Sequence, residues 1–219
     1  LELNINSKLK YYTEKELEKV LRMTQAKHAV AIVMESQTGE ILTIATLPDY
    51  DPNNFTKFDR ASYFNRAVSA SYEPGSTFKI ITISSALENN VITNDNIFFC
   101  ENGEYQIQDR IIHDVAPYGW LPLEKIIQKS SNICAAKIGQ LIPKPVFYRM
   151  IREFGFGLKT GISLPGEASG KVFPYEKWSD TDVATMSYGH SISATPIQII
   201  TAINTIATGG VLISPNVIK

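Results

Sequence analysis

Two apolar runs lie close together in the first quarter of the chain, HAVAIVMES (28–36) and EILTIATL (40–47), with the polar turn SQTG at the junction. Both are rich in β-branched residues and short, so they predict two strands joined as a hairpin. A two-stranded sheet is marginal in water by itself. The remaining chain must supply either further strands or a helical layer. Its apolar spacing is mostly helical, and only VLISPNVIK (211–219) again looks extended. This order predicts an α/β (α+β) fold in which a helical subdomain packs with part of an antiparallel sheet. One partial domain over 1–219 is expected: an N-terminal helix and first hairpin over 1–50, a mainly helical subdomain over 51–208, and the start of a strand over 209–219.

The helices can be placed from their punctuation. Residues 7–26 carry Leu9, Leu17, Val20, Leu21 and Thr24 at helical spacing, with Ser7 as a cap. PDYDPNN (48–54) is a loop by composition. A strong helix covers 76–90, with Phe78, Ile80, Ile81, Ile83 and Leu87 on its apolar stripe. Residues 91–120 are mixed, with small hairpins expected around Asn102-Gly103. Helices follow at about 122–129, with Pro122 first, at about 131–141, and from Pro145 to about Phe154, where Gly155 stops the turn. Residues 157–182 look loop-rich. Thr195-Pro196-Ile197-Gln198 is a capped helix start, and Gly209-Gly210 ends that helix.

With 219 residues, 44% of them hydrophobic, the chain can bury a core without metal or disulfide support. The net charge of −1 argues against a general affinity for nucleic acid. Cys100 and Cys134 are too few for a disulfide scaffold. Cys134 stands among Ile133, Ala135 and Ala136 and reads as a small core residue, while a bridge between the two cysteines stays open. His28, His113 and His190 are widely separated, so no metal site and no cofactor are expected. The stretch from Val183 to Ile218 has no Asp, Glu, Lys or Arg, but prolines, Gly209-Gly210 and many Ser, Thr and Asn break it. It is not read as a membrane span.

Three short motifs could carry chemistry. In YEPGSTFK (72–79), Ser76 and Lys79 stand three residues apart at a helix start, which puts both on one face. A serine needs an adjacent base to become a nucleophile, and a desolvated lysine can serve. Ser7-Lys8-Leu9-Lys10 has the same spacing on a charged surface helix and reads as a cap with a solvated lysine. Ser130-Ser131-Asn132 begins 54 residues after Ser76. Its hydroxyl could relay a proton and its amide could grip a substrate, although a Ser/Asn cluster at a helix start is an ordinary structural feature. Lys159-Thr160-Gly161 spells the third motif of penicillin-interacting serine enzymes. Here it lies in a loop-rich region, is followed by Ile162, and comes only 27 residues after Asn132, so a structural role is expected.

Together these stretches resemble the transpeptidase domain of class B penicillin-binding proteins, the division- and elongation-type enzymes of peptidoglycan synthesis. VAIVMESQTGEILTIATLPDYDPNN is similar to the family's first hairpin and following loop, NRAVSASYEPGSTFK to its nucleophile segment, and LEKIIQKSSNICAAKIG to its second-motif helix pair. FGFGLKTGISLPGEASGKV resembles a family loop, and YGHSISATPIQIITAINTIATGGVLISPNVIK the helix before the third motif. The resemblance implies that Ser76 is the acylated nucleophile, Lys79 its base, Ser130 the proton shuttle to the leaving D-alanine, and Asn132 the group that binds the substrate's peptide amide. The backbone N–H of Ser76 would form half of the oxyanion hole.

The implied activity is D,D-transpeptidation of peptidoglycan stem peptides through an acyl-enzyme, with β-lactams acylating Ser76. The implied setting is the outer side of the bacterial cytoplasmic membrane, beside a glycosyltransferase and divisome or elongasome proteins. In the family the third motif follows the Gly-Gly and extended segment, where this sequence stops. The chain is therefore expected to lack the family's third motif, later strands and membrane anchor, and to be impaired alone. A serine β-lactamase and a β-lactam-sensing receptor domain are the alternative readings.

Overall fold

The computed structural model describes residues 2–219. Its elements in chain order are α1 (Ser7–Thr24), β1 (Ala29–Met34), β2 (Ile41–Leu47), α2 (Arg66–Ser69), α3 (Lys79–Glu88), β3 (Ile97–Phe99), β4 (Glu104–Ile107), β5 (Arg110–His113), β6 (Trp120–Pro122), α4 (Leu123–Lys129), α5 (Asn132–Leu141), α6 (Lys144–Glu153), α7 (Asp180–Met186) and α8 (Pro196–Ala207). A short 3-10 turn, Gly75–Phe78, runs directly into α3. The chain forms two compact units. The first runs to Tyr72 and adds Gly157–Gly170 and Ala194–Lys219; the second is Glu73–Phe156 with Lys171–Ser193.

In the first unit β1 and β2 pair antiparallel, as the two apolar runs require, with Ala29 opposite Leu47 and Val33 opposite Thr43. On β2 every second residue, Ile41, Thr43, Ala45 and Leu47, is buried, the two-residue period of a sheet with one covered face. Helix α1 packs along β2. Its cap is Asn6 rather than Ser7: Asn6 keeps an extended backbone and its side chain accepts from the Leu9 amide at 3.0 Å, while Ser7 is already helical. The core gathers Ile41, Ala67, Val68, Ile162, Ile197 and Val217. Helix α8 begins as read, with Thr195 and Gln198 forming a reciprocal capping box and Pro196 at its first position. The same Gln198 side chain donates to the carbonyls of Leu158 (2.6 Å) and Ser169 (2.8 Å), tying the 157–170 loop to the helix. After α8 the chain makes isolated bridges, Asn216 with Glu40 and Ile218 with Leu3.

The second unit is built around α5, whose Ile133, Cys134, Ala135, Ala136, Ile138 and Gly139 are all buried. It packs against α3 and α7. At Gly139 an added Cβ would fall 1.8 Å from Ser187 Oγ, which shows how closely the chain following α7 approaches α5. Helix α7 lies partly in the stretch read as loop. It is only seven residues long, too short for its periodicity to show, yet Ser179 and Asp182 form a capping box at its start, a signature legible in the sequence. The small hairpins near Asn102-Gly103 are present as β4–β5, with β3–β6 beside them. Cys134 is a core residue and also half of a disulfide with Cys100; their Cα atoms lie 5.2 Å apart. Among the described residues no helix is long and apolar enough to cross a membrane.

Candidate active site

The 3-10 turn at Gly75–Phe78 lifts Ser76 to the surface while Phe78 anchors it from below. Phe78 is buried and meets Phe156 edge to face, with centroids 5.1 Å apart. The turn needs a left-handed residue before the serine, and Gly75 supplies it at φ +58°. The Gly75 amide donates to the Gly189 carbonyl at 3.0 Å. The neighbouring residues reinforce the contact: Glu73 accepts from the Ser191 amide at 2.9 Å and lies 2.9 Å from His190 Nδ1. The segment Gly189–Ser191 thus holds the turn from outside.

Lys79 opens α3, and its side chain is only 3% exposed. Its Nζ lies 3.1 Å from Ser76 Oγ and 2.9 Å from Ser130 Oγ, and it also donates to the Ser130 carbonyl. Ser130 Oγ donates to Ser76 Oγ at 3.0 Å, which closes a triangle of two hydroxyls and one amine. Burial lowers the Lys79 pKa to about 8, against the opposing field of the Asp114 carboxylate. An ammonium has three N–H donors and no acceptor. When Lys79 loses a proton, two N–H groups can stay on the Ser130 oxygens and the lone pair is left for the Ser76 hydroxyl. The arrangement therefore favours proton transfer from Ser76 to Lys79.

Ser130 reaches this place through an unusual backbone. It ends α4 in the left-handed region at φ 56°, and the Ser130 and Ser131 amides return to the Ile127 and Ile126 carbonyls. The chain then reverses into α5, capped by Ser131, whose Oγ accepts from the Cys134 amide at 3.0 Å. Asn132 is the first residue of α5, and its Nδ2 donates to the His113 carbonyl at 3.0 Å. All four residues singled out in the sequence, Ser76, Lys79, Ser130 and Asn132, lie in the second unit. Sequence reasoning did not single out Asp114 or Gly189, which bear on the same groups.

The Lys159-Thr160-Gly161 triplet is occupied otherwise. The Thr160 amide and hydroxyl both donate to Glu167 Oε1 at 2.6 Å, and the Gly161 amide donates to Oε2 at 3.3 Å. The triplet is one end of a loop closed by the glutamate of Leu-Pro-Gly-Glu.

Residues 29–219 match the penicillin-binding protein transpeptidase domain. The chain belongs to this family. Among curated relatives of this transpeptidase domain, the chain is 32% identical over 222 residues to stage V sporulation protein D of Bacillus subtilis, covering 100% of this chain and 34% of that protein. It is 32% identical over 211 residues to peptidoglycan D,D-transpeptidase FtsI of Escherichia coli K12, covering 96% of this chain and 36% of that protein. The chain thus spans about a third of the length of these relatives. Among solved structures, the transpeptidase domain of Burkholderia pseudomallei penicillin-binding protein 3 superposes with TM-score 0.89 at 32% identity, covering 99% of this chain and 61% of that one. Penicillin-binding protein 3 of Mycobacterium tuberculosis, complexed with aztreonam, superposes with TM-score 0.91 at 30% identity, covering 99% of this chain and 49% of that one. The mixed α/β transpeptidase fold expected from the sequence is therefore the fold observed.

Proposed function

We propose that this transpeptidase domain serves a peptidoglycan D,D-transpeptidase that works through an acyl-enzyme on Ser76, and that β-lactams acylate the same oxygen. The observation that carries the reading is the closed triangle of Ser76, Lys79 and Ser130 around a buried amine. Neutral Lys79 takes the Ser76 proton as Oγ attacks the carbonyl carbon of the penultimate D-alanine. The Ser76 backbone N–H supports the developing oxyanion. Ser130 gives its proton to the leaving D-alanine nitrogen and is reprotonated from the Lys79 ammonium. The acyl-enzyme then meets the amine of a second stem peptide, the proton path runs in reverse, and a new amide forms. In this reading Asn132, whose Nδ2 bonds the His113 carbonyl, accepts the donor peptide's N–H at Oδ1.

Two of the comparisons support this reading: FtsI is named for this activity, and one matched structure holds aztreonam, a β-lactam. The Cys100–Cys134 disulfide supports an extracytoplasmic location, since such bonds persist in oxidising compartments. Membrane attachment, a glycosyltransferase neighbour and divisome or elongasome partners belong to the same proposal.

The test is covalent labelling by fluorescent penicillin, read by gel and intact mass, with Ser76→Ala beside the wild type. Labelling of the wild type at Ser76 and none of the variant is expected. Equal labelling of both would overturn the assignment. A labelled species that deacylates within seconds would favour a β-lactamase instead.

A further inference from the structure

Outside the triangle, one charged side chain is committed to the active-site framework from a different part of the sequence. Asp114 follows β5 directly, and its own amide donates to the Gly103 carbonyl at 3.1 Å, so the β4–β5 hairpin fixes its backbone. Both carboxylate oxygens reach the start of α5. Oδ1 accepts from the Asn132 amide at 2.5 Å and the Ile133 amide at 3.2 Å, and Oδ2 accepts from Ser131 Oγ at 2.6 Å. Three donors of one helix end therefore converge on one side chain that is sixteen residues from Ser130. Resting on the function proposed above, we propose that Asp114 is a positioning residue for the acylation step: it sets the Ser130–Asn132 turn, and with it the Ser130 hydroxyl and carbonyl, against Lys79.

The geometry gives the carboxylate a mechanical role, and its charge adds a second, separable one. Ser130 stands in a left-handed conformation between two helices, and its hydroxyl and carbonyl both hold Lys79. The Ser130 and Ser131 amides tie the near side of the turn to α4, and the Asp114 bonds pin its far side to the hairpin. The second is electrostatic. The Asp114 field opposes the burial that lowers the Lys79 pKa. The groups that bond the Lys79 amine are all neutral, the hydroxyls of Ser76 and Ser130 and the Ser130 carbonyl, and the side chain of His113, next to Asp114 in the chain, faces Glu104 at 3.7 Å.

Three variants separate these roles. Asp114→Asn keeps an acceptor oxygen for the α5 amides and removes the charge. Asp114→Ala removes both. Asp114→Glu keeps the charge on a longer arm. Two readouts are needed: the second-order rate of acylation by fluorescent penicillin between pH 6 and 10, and the titration of Lys79 followed by NMR with labelled lysine. For Asp114→Asn the Lys79 midpoint should fall below the wild-type value, and the rising limb of the acylation profile should move to lower pH with it. For Asp114→Ala the acylation rate should drop tenfold or more at every pH, and Asp114→Glu should recover part of it. An unmoved Lys79 midpoint in Asp114→Asn, with wild-type acylation normal, would overturn the electrostatic role. A loss in Asp114→Ala that merely follows its melting temperature, with the pH limb unmoved, would overturn positioning in favour of plain stability. A wild type that is not acylated at all, yet shows the shifted midpoint in Asp114→Asn, would sink the proposed function and leave the Asp114–Lys79 coupling standing.

Discussion

Gly189 rests on Gly75 so closely that a Cβ at position 189 would fall 2.1 Å from the Gly75 carbonyl oxygen and 2.5 Å from its nitrogen. Gly189 also sits at φ +87°, a conformation that costs a residue with a Cβ about 1–2 kcal/mol. Gly189→Ala is therefore expected to push the nucleophile turn off its position. Acylation of Ser76 should fall more than tenfold, and the melting temperature should drop by several degrees. A crystal structure of the variant should show Gly75 displaced.

Lys79 sets the pH dependence. Its pKa is lowered from 10.5 to about 8, so the amine is mostly protonated below about pH 8 and mostly neutral above it. Only the neutral form can take the Ser76 proton. The acylation rate should rise with pH through about 8 and fall about tenfold per unit well below it. Lys79→Arg, whose side chain stays protonated, should lose about 10²–10⁴-fold above about pH 8, the range of a removed general base, and should lose the rising limb, so that the gap narrows as the pH falls. A stopped-flow pH series on both proteins checks this.

Removing the Ser130 hydroxyl isolates the proton shuttle. Ser130→Gly keeps the left-handed backbone at φ 56° without steric cost and deletes the oxygen that bridges Lys79 and Ser76. Acylation should fall about 10²–10⁴-fold, while the circular dichroism spectrum should match that of the wild type. Supplying a β-lactam with a better leaving group should recover part of the rate, because less proton donation is then required.

Lys159 is exposed, and its triplet is held by Glu167 inside one loop. Lys159→Ala should leave acylation within twofold of the wild type. Glu167→Ala strands two amides and a hydroxyl, and should cost about 2 kcal/mol of stability, typical for hydrogen bonds to a charged group. Denaturant melts and the labelling assay on the two variants distinguish a structural loop from an active-site motif.

The local spacing in the sequence determined a good deal. The i, i+3 relation of Ser76 and Lys79 at a helix start was legible because three residues make nearly one helical turn. The hairpin at 28–47 was legible from β-branched runs, and α8 from Thr195, Pro196 and Gln198, because caps and turns are short-range chemistry. The match of several such segments in order pointed to the family before any coordinate. Tertiary structure decided the rest. The approach of Ser130 to Lys79 spans 51 residues, the cradle of α5 by Asp114 reaches back from Asn132 across 18, and Gly189 meets Gly75 from 114 residues further along the chain. No local pattern encodes such contacts, because they arise from how helices and a hairpin pack. The same limit explains Lys159-Thr160-Gly161: three letters spell a motif, and the carboxylate of Glu167 decides what those three residues do.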